Sequence, residues 1–173
     1  MKDLLAFIIV VILSVAGAFF GPKIYASLAA GSRANTMIEQ LTTGRSTLVA
    51  RFANMGIARF GTGAYTAANV IAWRVLPDEA MDASSSALGN PFGGTYAISG
   101  AGRNFHWDAD TIPQDGCIAT LTGFPPGSGY TGAGVATSVS GLGAATVNAF
   151  PISPNTAANV CSSGNNAIRF VGG

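Results

Sequence analysis

Residues 4–20 (LLAFIIVVILSVAGAFF) run for seventeen positions without a charge, and Gly21 and Pro22 follow directly. Such a segment must be buried in lipid, in a partner, or in each at different times, because water solvates it poorly. As a helix it spans roughly 25 Å, just enough for the hydrocarbon core of a bilayer. Three readings fit. A cleaved signal peptide needs a basic start, an apolar run and small residues near a cleavage site. Lys2 and Ala16-Gly17-Ala18 supply these, but the apolar run continues through Phe19 and Phe20 with no linker after it. A one-pass anchor is the second reading. Lys2 favours the N-terminus inside, and Lys23 on the other flank weakens that bias. The third is a helix that leaves lipid and packs in an assembly. Ser14, Gly17, Gly21 and Pro22 fall in or just past its second half. Gly costs ~1 kcal/mol and Pro ~3 kcal/mol in a helix interior, and Pro22 would clash with the carbonyl of Ala18. Local melting across residues 14–23 is therefore expected once the segment is assembled.

From Ser32 onward the pattern turns amphipathic. Met37, Leu41, Leu48, Phe52 and Met55 form one helical stripe, widened by Ile38 and Val49 and flanked by Arg45 and Arg51. The opposite face holds Glu39, Thr43, Ser46, Ala50 and Ala53. A solvated helix face normally carries several long charged side chains. This one is small and nearly uncharged, so another backbone can approach it closely. It reads as a face that packs on other helices, with burial inside a single domain as the alternative. One helix from near Leu4 to about Ile57 would be about 75 Å long. A filament core needs such a length; a domain of this size does not.

The chain divides into an apolar helix segment at 1–24, the amphipathic half of the long helix at 25–60, and a head domain at 61–173. Charged residues make up 10 % of the chain and the net charge is +1, with no basic run to suggest nucleic acid as a partner. Residues 65–75 (YTAANVIAWRV) read as a short helix that stops before Pro77. Residues 90–99 (NPFGGTYAIS) read as a turn feeding a strand, and 104–107 as the next strand. Residues 111–124 read as a helix with Pro113 near its start, carrying Cys117. Ser153-Pro154 places an N-cap before a first-turn proline, opening a short helix that carries Cys161. Residues 127–146 read as loop with one strand, and 167–171 as a terminal strand. The fold class is α+β, one long helix packed on an antiparallel sheet. The two cysteines most simply pair if the chain is exported; two free thiols fit a cytosolic chain, which conflicts with the N-terminal segment.

These features resemble type IV pilins, and among them the type IVb class of toxin-coregulated pilins and conjugative thin-pilus pilins. Met1 is a usual first residue of mature type IVb pilins, and Pro22 stands where mature pilins typically have proline. AANVIAWRVLPDEAM followed by NPFGGTYAIS is similar to the thin-pilus group, as is SPNTAANVCSSGNNAIRF near the C-terminus. The resemblance implies that Cys117 and Cys161 bound the C-terminal region with a disulfide. It implies a helical filament of identical subunits on the cell surface. It further implies a subunit held in the bacterial inner membrane before assembly, served by a prepilin peptidase, an assembly ATPase and an inner-membrane platform. Met1, Asp3, Gly17, Gly21 and Pro22 would be the assembly residues. One departure stands out. The family carries Glu at position 5, where this chain has Leu5. Asp3 either replaces it as partner of the N-terminal amine, or is an ordinary first-turn acid favoured by the helix dipole.

Enzyme chemistry has little to rest on. His106 is the sole histidine, and its run with Asp108, Asp110 and Asp115 lacks calcium-loop spacing and suits zinc poorly. It reads as a polar surface loop. No nucleophile elbow or phosphate loop occurs. Trp73 and Trp107 read as core anchors. No cofactor, catalytic residue or metal ligand is expected. Rival roles are a minor pilin or tip adhesin, a secretion-system pseudopilin, and a membrane-anchored enzyme.

Overall fold

The structure, a computed structural model, describes residues 2–56, 59–81 and 87–173, with side chains from residue 27 onward. A single helix, α1 (Lys2–Phe52), leads the chain. Its backbone is helical through Gly17, Gly21 and Pro22 in this lone subunit. The apolar segment 4–20 and the assembly residues Met1, Asp3, Gly17, Gly21 and Pro22 lie outside the described side chains. Among the described residues no helix is long and apolar enough to cross a membrane.

The helix ends five residues earlier than the expected Ile57. Met55 N–H bonds the carbonyl of Phe52 (3.1 Å), tightening the last turn, and Gly56 takes a positive φ of 74°. Glycine adopts that conformation without steric cost, so it terminates the helix. Met55 therefore leaves the apolar stripe and is 64 % exposed. The stripe instead begins earlier, with Ala30 and Ala34 buried ahead of Met37, Ile38, Leu41 and Leu48.

Behind α1 lies a seven-stranded sheet in the order β1-β3-β4-β7-β5-β6, with β2 also pairing β3. The strands are β1 (Thr62–Ala64), β2 (Leu88–Gly89), β3 (Thr95–Ala101), β4 (Asn104–Ile112), β5 (Tyr130–Ala136), β6 (Val147–Ala149) and β7 (Asn166–Gly172). Each pairing is antiparallel. The terminal strand β7 lies between β4 and β5, deep inside the sheet. Strand β4 is longer than the expected 104–107, and β1 gave no sequence signal. The glycine-rich 127–146 holds β5 followed by a 3₁₀ turn (Val139–Ala144).

Three further helices are α2 (Ala67–Ala72), α3 (Gln114–Gly123) and α4 (Pro154–Val160). The Thr66 hydroxyl caps α2 by accepting from Asn69 N–H (3.2 Å). The Ser153 hydroxyl caps α4 by accepting from Thr156 N–H (3.2 Å). Each satisfies one orphan donor of the first turn. Cys161 closes α4 as its C-cap, just past the helix. A Cys117–Cys161 disulfide, with Cα atoms 6.0 Å apart, ties the inside of α3 to that cap.

The core fills the space between α1 and the sheet. Phe105, Trp107 and Ala109 alternate inward on β4, and Ile168 and Phe170 do the same on β7. Burying each large apolar side chain contributes ~1.5–3 kcal/mol. A chain of aromatic contacts runs from Phe60 through Phe105 and Tyr130 to Phe124 and Phe170. Trp107 is a core anchor, as expected; Trp73 sits half-buried at the edge against Phe52 and Tyr65.

Candidate assembly surface

Helix α1 is held to the head by a few specific contacts. Tyr130 O–H donates to the Leu41 carbonyl (2.9 Å), and Tyr96 O–H donates to Gln40 Oε1 (2.9 Å). Burial raises both phenols above the usual tyrosine range, so they remain protonated donors. Arg45 turns inward from the stripe's flank, and one of its terminal nitrogens donates to the Gly173 carbonyl (2.7 Å). Its Nε finds no protein partner among the described residues. At Gly44 the helix comes closest to the sheet. A Cβ there would collide with the Trp107 ring and approach the Val75 carbonyl oxygen to 2.9 Å.

These contacts fix which side of α1 faces outward. Glu39, Thr43, Ser46, Ala50 and Ala53 are all exposed, as the helical pattern requires. Ser46 and Thr42 return their hydroxyls to the helix: Ser46 O–H donates to the Thr43 carbonyl (2.6 Å), and Thr42 O–H to that of Ile38 (2.8 Å). The outer face is thus smooth, with short side chains folded onto their own backbone.

The head is organised by two asparagines that sequence reasoning passed over as individual residues. Asn90 Nδ2 donates to the carbonyls of Asp110 (2.8 Å) and Thr95 (3.3 Å), while its Oδ1 accepts from Phe92 and Gly94 N–H (2.9 and 3.2 Å). This one side chain shapes the NPFGGTYAIS turn. Gly94 is needed because a Cβ there would strike the backbone and carboxylate of Asp110. Asn166, buried at the start of β7, plays the same part at the disulfide-bounded end. Its Nδ2 donates to the carbonyls of Ile112, Ser162 and Gly164 (3.2, 3.2 and 3.1 Å), and its Oδ1 accepts from Ser162 N–H (2.8 Å). The available signal was an asparagine within two residues of a glycine, Gly89 before Asn90 and Gly164 before Asn166.

The acidic run around His106 is dispersed by the strand. Asp108 and Arg169 are directly opposite on β4 and β7 and form a bidentate pair, each bond 2.7 Å. Asp110 accepts from the Thr95 N–H and, at 3.1 Å, from its hydroxyl. Burial and the Arg169 guanidinium hold His106 below the usual imidazole range, with Asp108 opposing them. Among the described residues no cluster of histidine, cysteine or acidic groups could hold a metal ion.

A family profile described as PilS N terminal matches residues 31–172, from within α1 to the last strand. The chain belongs to this family. Among solved structures, the pilin is similar to a type IVb pilin from Salmonella typhi, with a TM-score of 0.54 and 17 % identity over 79 % of this chain and 97 % of that one. It is equally similar to TcpA, a type IV pilin from Vibrio cholerae El Tor biotype: TM-score 0.54, 15 % identity, 82 % of this chain and 99 % of that one. At such identities the likeness is one of fold. No curated protein matches the pilin sequence. The long helix, antiparallel sheet and Cys117–Cys161 disulfide are those of the type IV pilin fold. The type IVb resemblance read from the sequence stands.

Proposed function

We propose that this pilin is the major structural subunit of an extracellular type IVb-like pilus, built by packing α1 helices at the filament centre. One observation carries the reading: α1 leads the chain with an uncharged run and then presents a smooth, short-side-chain outer face. The subunit waits in the inner membrane with residues 4–20 in lipid, and the same residues then pack on neighbouring helices. Prepilin peptidase, an assembly ATPase and an inner-membrane platform are the partners that family membership suggests. The role is structural rather than enzymatic. Cryo-electron microscopy of sheared surface filaments tests the reading. The expected map places the N-terminal helices at the axis, with 14–23 melted. Helices facing solvent would overturn the assembly, and an unbroken helix through Pro22 would overturn the melting.

Asp3 takes the place of the family's Glu at position 5 in this reading. No other acid occurs before Glu39, and an unpaired amine in an apolar core would be costly. Asp3→Asn is expected to cut filament yield about tenfold, the loss of ~1.4 kcal/mol per assembled subunit, with membrane levels unchanged. Immunoblotting sheared and cell-bound fractions reads both quantities. Unchanged piliation would show that the amine is solvated or modified instead.

A further inference from the structure

The face of the sheet turned away from α1 holds the sole histidine beside an ion pair. Directly opposite residues share a face, so Asp108 on β4, Arg169 on β7 and Gly134 on β5 form one row. His106, Val171 and Gly132 form the next. Trp107 and Phe170 alternate inward to the core, which puts both rows outward.

The connection from β5 to β6, residues 137–146 (TSVSGLGAAT), folds back over the first row. Its 3₁₀ turn packs across β5 and β7 and reaches β4. A Cβ on Gly134 would lie 3.2 Å from the Ala145 methyl, and one on Gly141 would lie 3.1 Å from the Ala136 methyl. Glycine at 134 therefore leaves the space that this segment fills, next to Arg169. Leu142 is the only buried residue of the segment, and it stands apart from the main core. The segment's hydrogen bonds are local: Gly141 N–H donates to the Ser138 carbonyl (3.1 Å), Ala145 N–H to that of Leu142 (3.3 Å), and the Ser138 and Ser140 hydroxyls share a bond (3.0 Å). Among the described residues none ties it to β4 or β7. A segment held by one apolar side chain belongs to the parts of a fold that open first.

Along the covered row, Asp108 is 7 % exposed and both its oxygens are committed to Arg169. His106 stands two residues before Asp108 on the same face, half-buried between Ser99 of β3 and Val171 of β7. Arg169 and Asp108 are the charged groups that act on it. Asp110, further along that face, is engaged by Thr95, and β5 and residues 137–146 bring no charge.

We propose that residues 137–146 form an acid-released flap, held on the sheet at neutral pH by the Asp108–Arg169 pair and freed when His106 takes a proton. The imidazolium adds a second cation beside one carboxylate already used on both oxygens. With the flap closed it has no counter-charge of its own, and a half-buried unpaired cation is costly. Opening admits water to the row and lets Asp108 turn to His106, so proton binding and opening favour one another. Burial, and after it Arg169, hold His106 below the ordinary imidazole range, with Asp108 opposing them. The closed flap therefore keeps its full stability above the ordinary imidazole value of about 6.5, and loses stability as pH falls from there toward the lowered one.

Hydrogen exchange of the detergent-solubilised full chain, read by mass spectrometry and corrected for intrinsic rates, tests the device. Peptides covering 137–146 are expected to exchange roughly threefold or more faster at about pH 5 than at about pH 7.5, with β4 and β7 unchanged. His106→Gln is expected to remove that step, and Asp108→Asn to give the fast rate at both pH values. The Cys117–Cys161 bond on non-reducing gels and the thermal midpoint verify that each variant folds. A second measurement needs no variant. The imidazole resonances of the wild type report His106 alone, because it is the sole histidine. Their midpoint is expected below about 6.5 and at the same pH as the exchange step. Equal exchange at both pH values overturns the proposal, as does a step that survives His106→Gln. Slow exchange in Asp108→Asn at neutral pH, or an imidazole midpoint at or above the ordinary value, overturns it equally.

Discussion

Cys161→Ser is expected to remove most of the pilin from cells and, with it, the filaments. The bond it breaks closes a loop of 44 residues. On the chain-entropy estimate such closure contributes ~4 kcal/mol, out of a total stability of ~5–15 kcal/mol for a typical domain. The loss falls on a sensitive place. The disulfide lies between α3, which packs on α1, and the turn ordered by Asn166, which delivers β7 into the middle of the sheet. Gln114 adds a bond from its Nε2 to the Cys161 carbonyl (3.2 Å), so the cap and α3 loosen together. The expected result is a pilin degraded in the envelope, with piliation down at least tenfold by immunoblot and electron microscopy. In vitro, dithiothreitol should lower the thermal midpoint of the wild type and leave Cys161→Ser unchanged. Equal midpoints with and without reductant would contradict the assignment.

Gly44→Ala should destabilise the pilin although alanine is the better helix former. Propensity alone favours the change by ~1 kcal/mol. The new methyl group, however, meets the Trp107 ring and the Val75 backbone at the tightest point between α1 and the sheet. Trp107 is fully buried and cannot swing aside, and the approaching carbonyl is part of the backbone. Overpacking of this kind costs ~1–3 kcal/mol. Because the helix must lift off the sheet, the Tyr130–Leu41 and Tyr96–Gln40 bonds stretch with it. With the propensity gain subtracted, the net cost of up to ~2 kcal/mol should lower the thermal midpoint of the detergent-solubilised full chain by up to ~8 °C, at about 2–4 °C per kcal/mol for a chain of this length. Gly44→Val should drop it further. A rise in midpoint for Gly44→Ala would mean that helix propensity outweighs the Trp107 contact.

What the sequence determined by itself was local or periodic. The inner residues Met37, Leu41 and Leu48 were legible because a helix repeats every 3.6 residues, whatever it packs against. The outward position of Glu39, Thr43, Ser46, Ala50 and Ala53 follows from the same repeat. Ser153-Pro154 marked a helix start because capping needs only neighbours in the chain. The Cys117–Cys161 pair was legible because two cysteines allow one intrachain bond. Other features depended on residues far apart in sequence. The helix end at Phe52 was misplaced because a methionine at the right spacing outweighed Gly56 in the pattern, although glycine's positive φ decides the conformation. Strand β1 has no side-chain pattern, being exposed throughout; it exists because β3 offers it an edge. Gly44 looks like a helix defect until Trp107, sixty-three positions later, is placed against it. Asp108 becomes a partner for Arg169 only through the register of β4 with β7. Arg51 finds the Trp73 ring, twenty-two positions later, only because α2 comes back to the end of α1. Periodicity and capping are properties of a chain with its near neighbours, whereas close approach and strand register are properties of which distant segments the core brings together.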